Sequence, residues 1–123
     1  MVTLILYPKC STSQKAKRWL EHAGVAFDVR DIVKNTPTES ELQSFLDKAN
    51  KPLKRFFNTS GQSYRKLGLK DDLPTMSKTE ALSLLASDGM LIKRPLLIDG
   101  DTVLIGFKVS EYEAHFNDEE GLK

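Results

Sequence analysis

The apolar positions in the first third of the chain predict a strand, a helix and a second strand. The run VTLILY predicts a buried strand over residues 2–6. Apolar residues then recur at helical spacing from 11 to 23, and Gly24 is suited to end that helix. VAFDVRDI alternates well enough to predict a strand over about 25–31. Because a helix connects them, the two strands should pair in parallel.

The middle of the chain has the patterns of capped helices. Thr38 with Glu41, and Ser77 with Glu80, have the spacing of capping boxes, and each pair precedes an apolar stripe. These patterns predict two helices, separated by an irregular, turn-rich stretch. We therefore predict a helical insertion over about 34–91.

The last third predicts a hairpin followed by a helix. Strands are expected at 95–98 and 102–106, joined by a tight turn at Asp99 and Gly100 and therefore antiparallel. A helix should follow over about 109–116.

The order of these elements predicts the fold. A sequence of β–α–β, helices, then β–β–α is that of an α/β, thioredoxin-like (glutaredoxin-type) mixed sheet with helices inserted in its middle. The chain has 123 residues, which is the size of a single domain. We predict one domain over 1–123, with its core at about 1–33 and 92–117.

Composition and charge narrow the classes of function. Apolar residues make up 40% of the chain and charged residues 28%, as in globular proteins. The net charge of +1 gives no general attraction to nucleic acid or to a membrane surface. The apolar run after Met1 is too short for a signal peptide or a membrane span, and a sole cysteine forms no internal disulfide. We therefore expect a cytoplasmic protein.

Cys10, the sole cysteine, lies at the predicted start of the first helix. Ser11 and Gln14 have capping-box spacing, which places that start beside Cys10. Unpaired N–H groups and partial positive charge at a helix start stabilise a thiolate and lower its pKa. The alternative is an inert cysteine packed in the core. Polar neighbours favour a nucleophile, and they are Lys9, Ser11, Thr12 and Ser13.

Arg94 and Pro95 stand at the start of the third predicted strand, and two interpretations are open. Arg94 could lie beside Cys10, lower the pKa of the thiol and bind an oxyanion or carboxylate. Alternatively, Arg94 is a solvated charge and Pro95 begins an edge strand. Two histidines and one cysteine have no metal-ligand spacing, and no nucleotide-binding loop is present, so we expect no metal and no bound cofactor.

Four segments together resemble a known family: YPKCSTSQKAKRWLEHAG, FNTSGQSYRKLGL, LLASDGMLIKRPLLI and the closing IGF. The resemblance, which runs nearly end to end, is to the arsenate reductase superfamily, which also contains the Spx regulators and the YffB-like proteins. It implies a thioredoxin fold with inserted helices, a nucleophilic Cys10, a cis peptide before Pro95, and Arg94 near the thiolate. The residues expected to support the thiolate or its substrate are Ser11, Thr12, Ser13 and Pro95.

Two departures bear on which branch of the family the chain resembles. Arsenate reductases similar to this chain carry further arginines near Phe56–Asn58 and where Ile105 and Gly106 stand here, and only Arg55 comes close to the first. The Spx regulators usually have Cys-x-x-Cys, whereas this chain has Ser13 at the second position. A disulfide switch within the motif is therefore unavailable.

The resemblance implies two alternative functions. In the first, the Cys10 thiolate attacks arsenate or another oxidised small substrate, such as a disulfide, and an external thiol such as glutathione or glutaredoxin resolves the adduct. In the second, the protein is an Spx-like regulator that binds the C-terminal domain of the RNA polymerase α subunit. We favour the first, a monothiol oxidoreductase, and expect no direct contact with nucleic acid or a membrane in either.

Overall fold

A mixed four-stranded sheet forms the centre of the molecule. The computed structural model describes residues 2–121. The strands are β1 (Val2–Leu6), β2 (Phe27–Asp31), β3 (Leu96–Asp99) and β4 (Thr102–Ile105), in the order β2-β1-β3-β4. β1 is parallel to β2 and antiparallel to β3, and β3 and β4 form the antiparallel hairpin. The predicted thioredoxin-like arrangement is confirmed.

Six α-helices occur within residues 2–121. They are α1 (Ser11–His22), α2 (Glu39–Ala49), α3 (Gln62–Lys66), α4 (Leu69–Asp72), α5 (Lys78–Ser87) and α6 (Val109–Gly121). Short 3₁₀ turns lie at Leu53–Phe56, Leu73–Thr75 and Gly89–Leu91. α1 and α6 follow β1 and β4, whereas α2 to α5 lie between β2 and β3, in the stretch predicted to be a helical insertion.

Several predicted boundaries need correction, among them the ends of α1 at His22 and of β4 at Ile105, each one residue earlier than predicted. β2 begins at Phe27, because the Val25 amide still bonds the Leu20 carbonyl at the end of α1 (3.1 Å). β3 begins after Pro95, which has no N–H for the ladder, and runs to Asp99. α6 continues to Gly121 rather than ending at residue 116, since helical hydrogen bonds continue there without an apolar stripe.

The predicted capping box of Ser11 and Gln14 is wrong. Cys10 itself is the capping residue, with an extended backbone (φ −93°, ψ 123°), and its carbonyl accepts the Gln14 amide at 3.1 Å. The Gln14 side chain instead donates to the Pro8 carbonyl (2.9 Å). Ser11 is therefore the first residue inside α1, and Cys10 lies directly at its N-terminus.

The other two caps have the predicted positions. The Thr38 hydroxyl accepts the Glu41 amide, and the Glu41 carboxylate accepts the Thr38 amide, which completes the reciprocal box. The Ser77 hydroxyl accepts the Glu80 amide at 3.1 Å. These caps define the starts of α2 and α5.

The sheet separates two apolar cores because side chains alternate along β1. Leu4 and Leu6 belong to a cluster with α1 and α6, whereas Ile5 belongs to the cluster formed with the helices between β2 and β3. In the first cluster the Tyr112 ring is fully buried and meets Trp19 edge-to-face at 5.5 Å. Within residues 2–121, no helix has the length and apolar content needed to cross a membrane.

Candidate active site

Cys10 lies in the tight turn that joins β1 to α1. Its backbone N–H donates to the Tyr7 carbonyl at 2.9 Å, and its side chain is partly exposed. The structure thus places the thiol at the N-terminal end of α1, a helix of twelve residues, where it is partly exposed to solvent. An inert, fully buried thiol does not fit this position.

Ser13 lies beneath the thiol, one turn into α1. It is fully buried, and its hydroxyl oxygen accepts the Tyr7 amide at 3.2 Å. That bond leaves the hydroxyl proton free to point at a different acceptor, and the Cys10 sulfur is within reach of it. Ser13 is therefore oriented as a donor towards a Cys10 thiolate.

The pKa of the Cys10 thiol is lowered from its ordinary value. Partial burial is the largest single influence and acts in the opposite direction, because it disfavours the charged form. Donor groups near the sulfur outweigh burial and lower the pKa: they are the amide and hydroxyl of Ser13, the amide of Thr12 and the side chain of Arg94. The site therefore stabilises the thiolate, the nucleophilic form of cysteine, relative to that of a free cysteine.

The Arg94–Pro95 peptide is cis, as the resemblance implied. β3, which follows it, is an interior strand of the sheet, so the alternative of Pro95 starting an edge strand is wrong. Pro95 is buried and Arg94 is half-buried rather than a solvated charge. Arg94 lines the same cleft as Cys10 and therefore lies near the N-terminal end of α1.

Two contacts hold the guanidinium of Arg94. It lies over the Tyr7 ring, 5.1 Å from the ring centroid, and its Nη1 donates to the Met90 carbonyl at 3.2 Å. The same side chain is one of the donors that lower the pKa of the Cys10 thiol. Nε is buried and has no acceptor within residues 2–121. Arg94 therefore has a donor that no group of the described residues satisfies.

The thiol opens into a cleft of about 450 Å³. Of the predicted site residues, Cys10, Thr12 and Arg94 line this cleft. Ser13 and Pro95 are buried next to it, and exposed Ser11 is not among its lining residues. Geometry therefore brings the predicted residues together, with Ser11 at the margin.

The opposite wall of the cleft comes from the irregular stretch between the two predicted capped helices, and from the start of α3. Asn58, Ser60, Gly61, Gln62 and Ser63 line it. Hydrogen bonds hold this stretch against the residues before Arg94: the Asn58 amide donates to the Leu91 carbonyl (2.8 Å) and the Lys93 amide to the Phe56 carbonyl (2.7 Å). The wall is therefore polar, mostly uncharged and fixed relative to Arg94.

Arg55 does not contribute to this cleft. It lines a separate depression of about 310 Å³ together with Lys54 and Lys93. Ile105 and Gly106, where the resemblance leads us to expect an arginine in an arsenate reductase, are both buried. Among the residues that line the thiol cleft, Arg94 is the one arginine and Lys93 the one lysine. Within residues 2–121, no cluster of three or more potential ligands could hold a metal ion.

Comparison with known proteins gives a consistent family. The profile of the ArsC family matches residues 5–115. YusI of Bacillus subtilis (strain 168), an uncharacterized protein, is 49% identical over 115 residues, which are 94% of this chain and 98% of YusI. The global transcriptional regulator Spx of Streptococcus pneumoniae (strain R6) is 33% identical, covering 93% of this chain and 84% of Spx.

A solved structure agrees with these matches. The crystal structure of a possible arsenate reductase from Streptococcus mutans UA159 superimposes with a TM-score of 0.87 at 49% identity. The superposition covers 94% of this chain and 98% of that protein. Sequence and structure therefore point to the same group of proteins across nearly the full chain.

Proposed function

The chain belongs to the ArsC family, and on that premise we propose that it is a monothiol oxidoreductase. The Cys10 thiolate attacks an oxidised small substrate, and an external thiol such as glutathione or glutaredoxin resolves the adduct. Arg94 holds the thiolate and the substrate, and Ser13 and Thr12 donate hydrogen bonds to the sulfur.

The observation that carries this proposal is the position of the Cys10 sulfur. It lies at the N-terminus of α1, with a lowered pKa, and opens into a cleft that Arg94 also lines. A thiolate is the attacking species in thiol–disulfide exchange and in displacement at an oxyanion. The Cys10 sulfur is therefore both stabilised as a thiolate and accessible to a substrate in the cleft.

For a disulfide substrate, the reaction balances with one external thiol. The Cys10 thiolate attacks one sulfur, the substrate S–S bond breaks, and the other sulfur leaves as a thiolate. The external thiolate then attacks the new mixed disulfide, releases the Cys10 thiolate and retains the substrate fragment as its own disulfide. Since no second cysteine exists in the chain, the resolving sulfur must come from outside.

For arsenate, two electrons must reach arsenic(V). The Cys10 thiolate would attack the arsenic of protonated arsenate and displace water, which forms an S–As bond. An external thiolate would then attack the Cys10 sulfur of this adduct. The S–As bond breaks, its electron pair stays on arsenic as arsenic(III), and Cys10 is left in a mixed disulfide that a further thiol reduces. An oxyanion with more than one negative charge is bound best by several guanidinium or amide donors. Because Arg94 is the one guanidinium in the cleft, we favour a disulfide over arsenate.

The test compares both substrates in one coupled assay. NADPH consumption is followed with glutathione and glutathione reductase, using either a glutathione mixed disulfide without glutaredoxin or arsenate with glutaredoxin added, for the native chain, Cys10→Ser and the control Ser11→Ala. We expect turnover of the mixed disulfide that is lost in Cys10→Ser and retained in Ser11→Ala. Equal rates in all three proteins, with both substrates, would contradict the proposal.

A second candidate function is favoured by the identity to Spx. An Spx-like regulator would bind the C-terminal domain of the RNA polymerase α subunit, and the Cys10 thiol would be dispensable or would sense oxidation. Binding measured with the purified domain should then be unchanged in Cys10→Ser. Absence of binding at micromolar concentration would exclude this candidate.

A further inference from the structure

A second cavity, of about 460 Å³, lies among the helices between β2 and β3. It shares no lining residue with the thiol cleft. Its walls come from the turn at Leu53–Phe56, from α3, from the stretch of α4 and Leu73–Thr75, and from α5. The cavity is therefore enclosed by several separate segments.

The floor of this cavity is apolar. Leu53, Leu73 and Met76 are half-buried and line it, and Tyr64 and Ala81 are buried beneath them. These side chains belong to or pack against the same apolar core that includes Ile5 of the sheet. The floor is thus an open continuation of the core, and an apolar group placed there would be removed from water.

The mouth of the cavity is cationic. Lys54, Lys70 and Lys78 line it, and each comes from a different helical segment. No aspartate or glutamate is among the lining residues, and none of the three lysines forms an ion pair within the described part of the chain. Three lysines and no carboxylate around an apolar floor favour a ligand with one anionic end and one apolar end.

The size of the cavity favours a small molecule over a protein helix. Small-molecule sites typically have volumes of roughly 300–1,000 Å³, and this cavity lies within that range. A docked amphipathic helix would need a long groove that receives anchors from successive turns. Here the wall segments, α3 and α4, have five and four residues and close the cavity over a short distance.

We propose that this cavity binds a small amphiphilic carboxylate, of which a fatty acid is the simplest example. The alkyl chain lies on the floor formed by Leu53, Leu73 and Met76. The carboxylate lies at the mouth, between Lys70 and Lys78. This site is separate from the thiol chemistry and does not depend on the proposed function.

Titration calorimetry with dodecanoate, kept below its micelle concentration, tests the proposal, and 1-dodecanol serves as the uncharged probe of the same chain length. We expect saturable binding of one dodecanoate per chain and weaker binding of dodecanol. The absence of saturable dodecanoate binding to the native chain would overturn the proposal.

Two sets of variants test the location. Lys70→Glu combined with Lys78→Glu should weaken dodecanoate binding by about tenfold, because two attractive charges become repulsive. The matched control, Lys34→Glu with Lys66→Glu, changes the net charge equally at exposed residues that do not line the cavity. Equal losses in both double variants would show a general charge effect and overturn the assigned site.

The apolar floor is tested by filling it. Met76→Trp should block dodecanoate and dodecanol alike, since the indole occupies the volume needed by the alkyl chain. The alkylation rate of Cys10 checks that each variant is folded. A folded Met76→Trp protein that binds dodecanoate as tightly as the native chain would overturn the proposal.

Discussion

The two walls of the thiol cleft are built over very different distances along the chain. The wall that carries the nucleophile is local: Tyr7, Cys10 and Ser13 contact one another within a single turn and helix start. The opposite wall joins residues 58–63 to residues 90–94, which are about thirty positions apart and meet through backbone hydrogen bonds. Reactivity of the sulfur is thus a short-range property, whereas the shape of the cleft is a long-range one.

The largest expected effect is on the free energy of unfolding, and it comes from disrupting the contact between Gly89 and Ile32, which holds the segment before Arg94 against the sheet. A Cβ on Gly89 would overlap the carbonyl of Ile32, at the end of β2. Gly89→Ala should therefore lower the free energy of unfolding by about 3 kcal/mol, since the clash is with backbone that cannot rotate away. Urea unfolding measures the loss.

Gly24→Ala is the control for that substitution. Gly24 has a positive φ of 73° but open space where a Cβ would be, so the expected cost is about 1 kcal/mol. If Gly89→Ala were no more destabilising than Gly24→Ala, the helical segment would not be held against the sheet as closely as the structure shows.

The next largest effect is on the reactivity of Cys10, and it distinguishes how far each wall lowers the pKa of the thiol. Ser13→Ala removes a donor of the local wall, and Arg94→Met removes the charge supplied by the distant one. Because the Ser13 hydroxyl lowers the thiol pKa more than Arg94 does, Ser13→Ala should slow alkylation at neutral pH about fivefold and Arg94→Met about twofold.

The pH dependence of iodoacetamide alkylation provides the measurement. In both variants the midpoint should move to higher pH, because the thiolate has lost a stabilising partner. A larger displacement in Arg94→Met than in Ser13→Ala would reverse the comparison and make the distant wall the main source of reactivity.

A smaller effect on stability is expected from the ion pair that joins α2 to the sheet. Arg30 on β2 makes two bonds to Glu41 on α2 (2.7 and 2.9 Å), and they are the main reason that the pKa of Glu41 falls from 4.5 to about 2. The folded-state pKa is depressed, so this contribution is complete above about pH 4.5 and is lost as pH falls towards 2. It should amount to less than about 1 kcal/mol, because the pair is partly exposed.

Unfolding measured at pH 6 and at pH 3 checks this contribution. Glu41→Gln should be less stable than the native chain at pH 6, and the difference should shrink at pH 3. A difference that stays constant across this interval would show that the carboxylate charge is not what matters at this position.

The smallest effect on the free energy of unfolding is expected at Tyr112, in the apolar core that α1 shares with α6. The Tyr112 hydroxyl is buried with no partner among the described residues, and burial raises its pKa. Tyr112→Phe keeps the ring packed on Trp19 and removes an unsatisfied polar group. The free energy of unfolding should therefore stay within about 0.5 kcal/mol of the native value or rise. A clear loss would indicate a hydrogen-bonding partner for the hydroxyl.

The contrast between contacts of neighbouring residues and contacts of distant segments also explains what the sequence could predict. The strand before Cys10, the helix after it and the caps at Thr38 and Ser77 follow from neighbouring residues, and the structure contains them. The capping box at Ser11 was wrong because two different partners, the Cys10 carbonyl and the Pro8 carbonyl, satisfy the Gln14 amide groups. Local spacing alone could not distinguish these partners.

The polar wall opposite the thiol had no local signal. Asn58, Ser60 and Gly61 have the composition of an ordinary turn, and only their pairing with Leu91 and Lys93 brings them to Cys10. The position of Arg94 followed from the family resemblance rather than from its own neighbours. Predicting this half of the cleft would have required knowledge of contacts between distant segments.

Tyr7 belongs to both walls at once. Its amide bonds the Ser13 hydroxyl, its carbonyl bonds the Cys10 amide, and its ring lies under the Arg94 guanidinium. Substitutions at Ser13 and Arg94 should therefore have non-additive effects, with the coupling lost when the Tyr7 ring is removed. Over evolutionary time, the residue tolerated at position 7 should depend on the residue at position 94, although 87 positions separate them.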